Sequence, residues 1–164
     1  MVPSALVDDA AAVLSDLRSH GLTLATAESC TGGLIAAVLT AVAGSSDVVD
    51  RGYVTYSNMA KTEMLGVPAA LIEHNGAVSR EVATAMIDGV FLFSPVDLAV
   101  SVTGIAGPVG GSEHKPVGLV YLAAGRRGHP AIVRECLFGD IGRAGIRLEA
   151  VRKAFAMIGD VISK

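Results

Sequence analysis

The spacing of apolar residues predicts that helices alternate with strands along most of the chain. Helical periodicity begins after Pro3-Ser4, and Gly21 is the kind of residue that ends such a helix. Asn58 and Ser79 are suited to cap two later helices, because their side chains can accept from free backbone amides. The helices predicted in this way lie at 6–17, from 34 onward, at 58–65, 79–93 and 146–162.

Short runs of apolar, β-branched or aromatic residues predict the strands. They lie at 22–27, 48–56, 97–103, 117–124 and 131–138, and the last two are predicted to form a hairpin around residues 125–128. Because strands alternate with helices, we expect an α/β fold, a three-layer α/β/α sandwich with a mixed, mostly parallel sheet. No linker or repeat interrupts the pattern, so residues 1–164 are predicted to form a single domain.

Composition narrows the class of protein. The chain has 164 residues, of which 51% are hydrophobic and 18% charged, and this balance excludes intrinsic disorder. With 13 basic and 16 acidic residues the net charge is −3, which predicts no nucleic-acid partner. No apolar stretch reaches the roughly 20 residues that a membrane span needs. The first residues also lack the pattern of a signal peptide, so we expect a cytoplasmic protein without a membrane partner.

Cysteine and histidine give no sign of a metal or disulfide site. Cys30 and Cys136 are too few and too far apart for a disulfide framework or a zinc site. No two of the four histidines have the i,i+4 spacing of helical metal ligands, and all lie beside predicted turns. We therefore predict neither a metal nor a cofactor.

Glycine is the unusual component, and two of the glycine-bearing turns directly follow strands. There are 19 glycines, about 12% of the chain against a usual share of about 7%. In the first turn, Ser29, Cys30 and Thr31 precede Gly32-Gly33 and a helix. The free amides at a helix start favour an anion, which suits a phosphate or an oxyanion beside a nucleophile. A merely capped helix with a tight turn is the alternative.

The second turn contains Gly104, Gly107, Gly110 and Gly111 after the strand that ends at Thr103. Its spacing is not that of a dinucleotide-binding or Walker A loop, and no helix pattern follows it. Glycine lets the backbone approach a ligand closely, so we expect a ligand-binding loop here, with a hinge as the alternative.

Lys61 is a candidate base for a nucleophilic serine, because it follows a strand and lies in the first turn of a predicted helix. Burial would lower its pKa enough for general-base work, although a solvated lysine is the ordinary alternative. Tyr56 could bond to the same site or pack at the sheet edge. Cys30 is a second possible nucleophile, but no histidine is positioned to help it.

Ser112 and Lys115 form a second serine–lysine pair with Ser-x-x-Lys spacing. This spacing is typical of penicillin-binding proteins, in which the pair lies one turn apart on a helix. Here Pro116 follows directly inside a glycine-rich stretch, so the pair is not expected to be catalytic.

Several motifs, in order along the chain, resemble the CinA C-terminal-domain family over residues 5–160. They are Thr-Ala-Glu-Ser-Cys-Thr-Gly-Gly at 26–33, Gly-Ser-Ser at 44–46, Gly-Tyr-Val-Thr-Tyr-Ser-Asn at 52–58 with Lys61, Leu-Gly-Val at 65–67, Gly-Ala-Val-Ser at 76–79, Thr-Gly-Ile-Ala-Gly-Pro at 103–108 and Lys-Pro-Val-Gly at 115–118. The resemblance implies hydrolysis of the carboxamide of nicotinamide mononucleotide in pyridine nucleotide salvage, by a metal-independent serine–lysine mechanism. Longer relatives carry an N-terminal domain resembling molybdopterin-cofactor enzymes.

This resemblance and the spacing together suggest roles for the site residues. Ser29 is the expected nucleophile, Lys61 its base, and Tyr56 an orienting group. The expected partner is a small-molecule nucleotide, and a homodimer is plausible. The residues expected to bind the substrate are Cys30, Thr31, Gly32, Gly33, Thr103, Gly104, Gly107, Gly110, Arg143 and Arg147.

The closing motif departs from the family pattern, which reads roughly Phe-x-Gly-Asp-Arg-x-x-Ile-Arg. Two extra residues, Ile141 and Gly142, separate Asp140 from Arg143. The departure leaves open whether Arg143 or Arg147 binds phosphate. It also motivates an alternative, a catalytically inactive nucleotide-binding or partner-binding module of the same fold.

Overall fold

The computed structural model describes residues 2–163, and its elements follow the predicted alternation. The helices are α1 Ser4–Ser19, α2 Leu34–Thr40, α3 Asn58–Leu65, α4 Ala69–Asn75, α5 Arg80–Phe93 and α6 Arg143–Ile162, with a 3₁₀ turn at Ser45–Asp47. The strands are β1 Leu24–Glu28, β2 Val49–Val54, β3 Leu98–Gly104, β4 Leu119–Arg126 and β5 Ile132–Leu137.

The five strands form one mixed sheet in the order β2-β1-β3-β4-β5. Strand β1 pairs in parallel with both β2 and β3, whereas β4 is antiparallel to β3 and to β5. Four strands therefore run in one direction and β4 in the other. The prediction of a mixed sheet is confirmed, and so is the late hairpin formed by β4 and β5.

Helices cover both faces of the sheet, which gives the three layers expected from the sequence. One face packs against α1, α2 and α6 through large side chains such as Leu24, Leu98 and Val100. The other face packs against α3, α4 and α5, and there the strands contribute small residues such as Ala25 and Ala99. Successive side chains of a strand point to opposite faces of the sheet, so the large residues lie on one face and the small residues on the other. The core therefore has two parts, and the one beside α1, α2 and α6 is the larger.

Two local predictions need correction. The cap of α3 is Ser57 rather than Asn58, since the Ser57 hydroxyl accepts from the Ala60 amide at 3.0 Å. Helix α4 was not predicted at all, because seven residues are too few for helical periodicity to stand out. Its boundaries were nonetheless marked by Pro68 before it and by Gly76, with a φ of +77°, after it.

Within residues 2–163, every helix is too short or too polar to cross a membrane.

Candidate functional site

The carboxyl ends of the three parallel strands meet at one edge of the sheet. Ligands of open α/β sheets bind at this edge. Glu28 at the end of β1 lies opposite Val54 of β2 and Val102 of β3. Ser29 and Thr55 therefore leave the sheet as neighbours, with Thr103 beside them on β3. The register of the strands, rather than any single motif, gathers these residues.

Helix α3 brings Lys61 back over this edge. The Lys61 Nζ atom lies 2.9 Å from the Ser29 Oγ atom and donates to the Thr55 carbonyl at 2.8 Å. Only 1% of Lys61 is exposed, although it lines the cavity with its polar end. Burial lowers its pKa from 10.5 to about 8. The predicted contact between Ser29 and Lys61 is present.

A lysine in this state can act as a base near neutral pH. With a pKa of about 8, roughly a tenth of the amines are neutral at pH 7 and half at pH 8. A neutral amine has a lone pair that can accept the proton of the Ser29 hydroxyl, while its own N–H groups still donate to the Thr55 carbonyl. The pair thus has both the distance and the protonation equilibrium that a serine nucleophile needs.

Cys30 is unsuited to the nucleophilic role that the sequence left open. Burial, together with the nearby Glu28 carboxylate, raises the pKa of its thiol to about 12. The start of α2 therefore does not stabilise a thiolate at Cys30. Cys30 lines the cavity as a neutral thiol beside Ser29.

Glu28 explains why the helix start does not act on the thiol. Its buried carboxylate accepts from the amides of Gly33, Ile35 and Ala36 at 3.1, 3.0 and 2.9 Å. It also accepts from the hydroxyls of Thr26 and Thr31. These amides are the free donors at the start of α2, so an internal anion already occupies the predicted anion site.

Three residues of the first turn that were expected to bind the substrate make hydrogen bonds within the protein instead. The Thr31 hydroxyl and the Gly33 amide face Glu28, and the Gly32 amide donates to the Ser29 carbonyl at 2.9 Å. None of these three residues lines the cavity, contrary to expectation. Within residues 2–163, the amides of Cys30 and Thr31 donate to no backbone carbonyl.

A cavity of about 270 Å³ opens above the Ser29–Lys61 pair. Of the predicted residues, the strand ends and the glycine-rich loop line it as expected. Sequence reasoning missed part of the lining, which comes from the start of α3, from the connection between α4 and α5 and from the apolar positions of the loop. The predicted lining residues are Ser29, Cys30, Tyr56, Lys61, Thr103, Gly104, Gly107, Gly110 and Arg143, and the missed ones are Asn58, Ala77, Val78, Ile105, Ala106 and Val109.

Only one of the two candidate arginines lines this cavity. Arg143, the first residue of α6, donates to the Gly107 carbonyl at 2.9 Å and to the Tyr56 hydroxyl at 2.7 Å. Arg147 lies behind the first turn, where it donates to the Thr31 carbonyl at 2.7 Å. The two extra residues before Arg143 form a turn through Gly142, whose φ is +80°, and they leave Arg143 at the cavity.

Tyr56 has a different partner from the one considered in the sequence. It is 58% exposed, and its hydroxyl bonds with Arg143 at 2.7 Å rather than with Lys61. The Lys61 Nζ atom is shared between Ser29 and Thr55. Tyr56 therefore faces the cavity as a partner of the arginine.

The second serine–lysine pair is not part of the cavity lining and does not lie on a helix, as expected. The Lys115 amide donates to the Ser112 hydroxyl at 3.1 Å, as in a turn. The Lys115 Nζ atom points elsewhere and donates to the carbonyls of Asn75 and Val78. The four histidines are all exposed, and residues 2–163 contain no cluster of three potential metal ligands.

The fold and the buried serine–lysine pair define an α/β protein with a cavity at its strand ends, and comparison with known proteins gives its family. A family model of the CinA C-terminal domain matches residues 8–162. The chain belongs to the CinA C-terminal domain family. The resemblance inferred from the motifs is confirmed.

Relatives of two lengths are similar to this chain. The nicotinamide-nucleotide amidohydrolase PncC of Escherichia coli K12 is 46% identical over 94% of this chain and 93% of its own length. A CinA-like protein of Citrifermentans bemidjiense is 58% identical over 84% of this chain, which spans only 33% of that relative's length. The crystal structure of the competence/damage inducible protein CihA from Agrobacterium tumefaciens has a TM-score of 0.96 and 49% identity, and the alignment covers 100% of this chain and 99% of that one.

Proposed function

We propose that the protein hydrolyses the carboxamide of nicotinamide mononucleotide to nicotinate mononucleotide and ammonia, in pyridine nucleotide salvage. The observation that carries this proposal is the 2.9 Å contact between Ser29 and a buried lysine of lowered pKa, both of which line a cavity of about 270 Å³. The E. coli relative, which matches nearly the whole chain, is a nicotinamide-nucleotide amidohydrolase.

In the first half of the reaction, the Ser29 oxygen attacks the carboxamide carbon while neutral Lys61 takes the hydroxyl proton. The carbonyl oxygen becomes an anion, which the backbone amide of Cys30 is suited to stabilise, by about 3–4 kcal/mol for a well-placed donor. The tetrahedral intermediate then collapses and the C–N bond breaks. Protonated Lys61 returns its proton to the leaving nitrogen, which departs as ammonia and leaves an ester on Ser29.

In the second half, Lys61 is again neutral and activates a water molecule. The water oxygen attacks the ester carbon, and its proton passes to Lys61. Collapse of the second tetrahedral intermediate breaks the bond to the Ser29 oxygen, which recovers a proton from Lys61. The products are nicotinate mononucleotide and the free enzyme, and each proton taken by the lysine has been given back.

The remainder of the nucleotide is proposed to lie along the glycine-rich loop. Gly107 and Gly110 expose backbone there, and Arg143 can present two parallel donors to a phosphate. In the structure those donors bond to the Gly107 carbonyl and the Tyr56 hydroxyl, so a bound phosphate would replace these two acceptors. Tyr56 is therefore proposed to hold the arginine in place before the phosphate binds, rather than to orient the lysine.

The alternative of an inactive binding module was motivated by the two extra residues before Arg143. Because Arg143 reaches the cavity in spite of them, this observation no longer favours the alternative. Ligand binding alone also does not explain the buried lysine, because burial of an amine costs free energy and binding does not require it.

The proposal predicts that ammonia release depends on both members of the pair. Ser29→Ala and Lys61→Met should each lower kcat for nicotinamide mononucleotide by at least about 10³-fold, because the nucleophile or its base is lost. A coupled ammonia assay measures the rate. Ser112→Ala, in the second serine–lysine pair, is the matched control and should retain the wild-type rate. Ammonia release by Ser29→Ala at the wild-type rate would refute the mechanism, and thermal stabilisation of the wild type by the mononucleotide without ammonia release would favour the binding module.

A further inference from the structure

One wall of the cavity is a short connection between two helices, residues 75–79, which joins α4 to α5. Ala77 and Val78 line the cavity from this connection. The connection is not part of the sheet, and side chains hold much of its backbone. The Ser79 hydroxyl donates to the Gly76 carbonyl at 2.9 Å, and the Thr103 hydroxyl donates to the Ala77 carbonyl at 2.8 Å.

Lys115 supplies the other two bonds to this connection. Its Nζ atom donates to the Asn75 carbonyl at 2.7 Å and to the Val78 carbonyl at 2.8 Å. Lys115 belongs to the segment that continues the glycine-rich loop, whose residues Gly107 and Gly110 form another wall of the cavity. Its ammonium group therefore joins this segment to the connection, across 40 residues of sequence for one bond and 37 for the other.

The local backbone is shaped to admit this ammonium group. Asn75 is the last residue of α4, where unpaired carbonyls carry partial negative charge and favour a cation. Gly76 lies directly against it, and a Cβ atom there would come within 2.7 Å of Lys115 Nζ. Glycine at this position thus serves two needs, the positive φ of +77° and the space for the lysine.

We propose that Lys115 is a positioning residue for substrate binding, which fixes the separation of the two cavity walls by holding the Asn75 and Val78 carbonyls. The proposal rests on the proposed function for the identity of the substrate. Lys115 does not line the cavity, so it acts through Ala77 and Val78 rather than by touching the substrate. Neither Ser29 nor Lys61 contacts the connection by a hydrogen bond, and the chemical step should therefore be spared.

The test separates binding from chemistry in Lys115→Met, which keeps the length of the side chain and removes its donors. For nicotinamide mononucleotide, KM should rise about tenfold while kcat stays within about twofold and the pH dependence is unchanged, because two charge-assisted bonds to the wall are lost. Lys115→Arg, which can still donate to both carbonyls, should restore most of the affinity. Lys153→Met, at a half-buried lysine of α6 away from the cavity, is the matched control and should behave as wild type.

A second measurement does not depend on activity. Amide hydrogen exchange over residues 76–79 should accelerate in Lys115→Met while exchange in α5 and β3 is unchanged. If that variant does not fold, Lys115→Gln replaces it, with an expected rise in KM of about threefold because one donor group remains. An unchanged KM in the variant that folds, or a fall in kcat without a change in KM, would overturn the proposal.

The two proposals fail in different ways. A wild-type protein that releases no ammonia from the mononucleotide would refute the proposed function. Faster exchange at 76–79 in Lys115→Met would then still support the role of Lys115 in holding the wall, and unaltered exchange there would refute it.

Discussion

The molecule contains two serine–lysine pairs that use the same side chains in opposite ways. Ser29 and Lys61 are 32 residues apart in sequence, yet their polar atoms touch in a buried site. Ser112 and Lys115 are three residues apart, but there the serine oxygen meets only the backbone amide of the lysine. The Lys115 ammonium group instead bonds to two carbonyls on another segment.

The difference lies in what surrounds each amine. Lys61 is almost fully buried and donates to one carbonyl and one hydroxyl, so loss of a proton leaves its remaining bonds intact. Lys115 has two carbonyl partners, both of which accept only, and it is less deeply buried. In the proposed mechanism Lys61 changes protonation state, and it is shielded from solvent and bonded to a hydroxyl that can either donate or accept. Lys115 is proposed to hold backbone, and its two partners only accept.

Replacement of each lysine by arginine should give the largest difference in kcat/KM between the two pairs. Lys61→Arg should lower kcat/KM by about 10³-fold or more, since a guanidinium group does not lose its proton at accessible pH. Lys115→Arg should change kcat/KM by no more than about threefold, because donors to the two carbonyls remain. Steady-state ammonia assays on both variants measure the effect. Comparable losses in the two would show that the lysines do not differ in the way described.

The pH dependence should identify which lysine controls the rate. The folded pKa of Lys61 lies at about 8, below its ordinary value, so the neutral base accumulates as the pH rises through 8. We expect kcat/KM to rise about tenfold per pH unit below that value and to level off above it. Lys115→Arg should give the same curve. A value of kcat/KM that stays constant between about pH 6 and pH 9 would contradict the role of Lys61 as base.

Stability should respond in opposite directions to loss of the two amines. Because the folded pKa of Lys61 is below its unfolded pKa, its charge destabilises the fold below about pH 8, and this cost fades as the pH rises from 8 towards 10.5. Lys61→Met should therefore raise the free energy of unfolding at pH 7 by about 1–3 kcal/mol. Lys115→Met should lower it by about 1 kcal/mol. Urea unfolding of both variants at pH 7 and pH 10 makes the measurement, and stabilisation by Lys61→Met that does not shrink at pH 10 would argue against this account.

Much of the fold followed from the sequence because its signals are local and strong. Apolar periodicity located the long helices α1, α5 and α6, and β-branched runs located the strands within a few residues. Ser29 and Lys61 could be paired in advance because each follows a strand, and the ends of neighbouring parallel strands meet. Helix α4 escaped because its seven residues carry too little periodicity.

The rest of the site depends on contacts between segments that no local pattern reveals. Glu28 stands out in the sequence only as part of the motif at 26–33, and nothing near it in the sequence indicates that its side chain accepts from the amides of α2. The roles of Arg143 and Arg147 depend on the residue at which α6 begins, which the extra Ile141-Gly142 made ambiguous. The sequence assigns Lys115 no role, because the Ser112–Lys115 pair is not expected to be catalytic. The carbonyls to which Lys115 donates lie on a connection that was not predicted.

The carboxylate of Glu28 is a counter-charge built into the start of α2. It already accepts from the amides of Gly33, Ile35 and Ala36, so these donors are not available to an anionic part of a ligand. At the cavity itself, the charged donors are Lys61 beside the serine and the exposed Arg143 at the glycine-rich loop. The buried acid thus removes a competing anion site from the first turn.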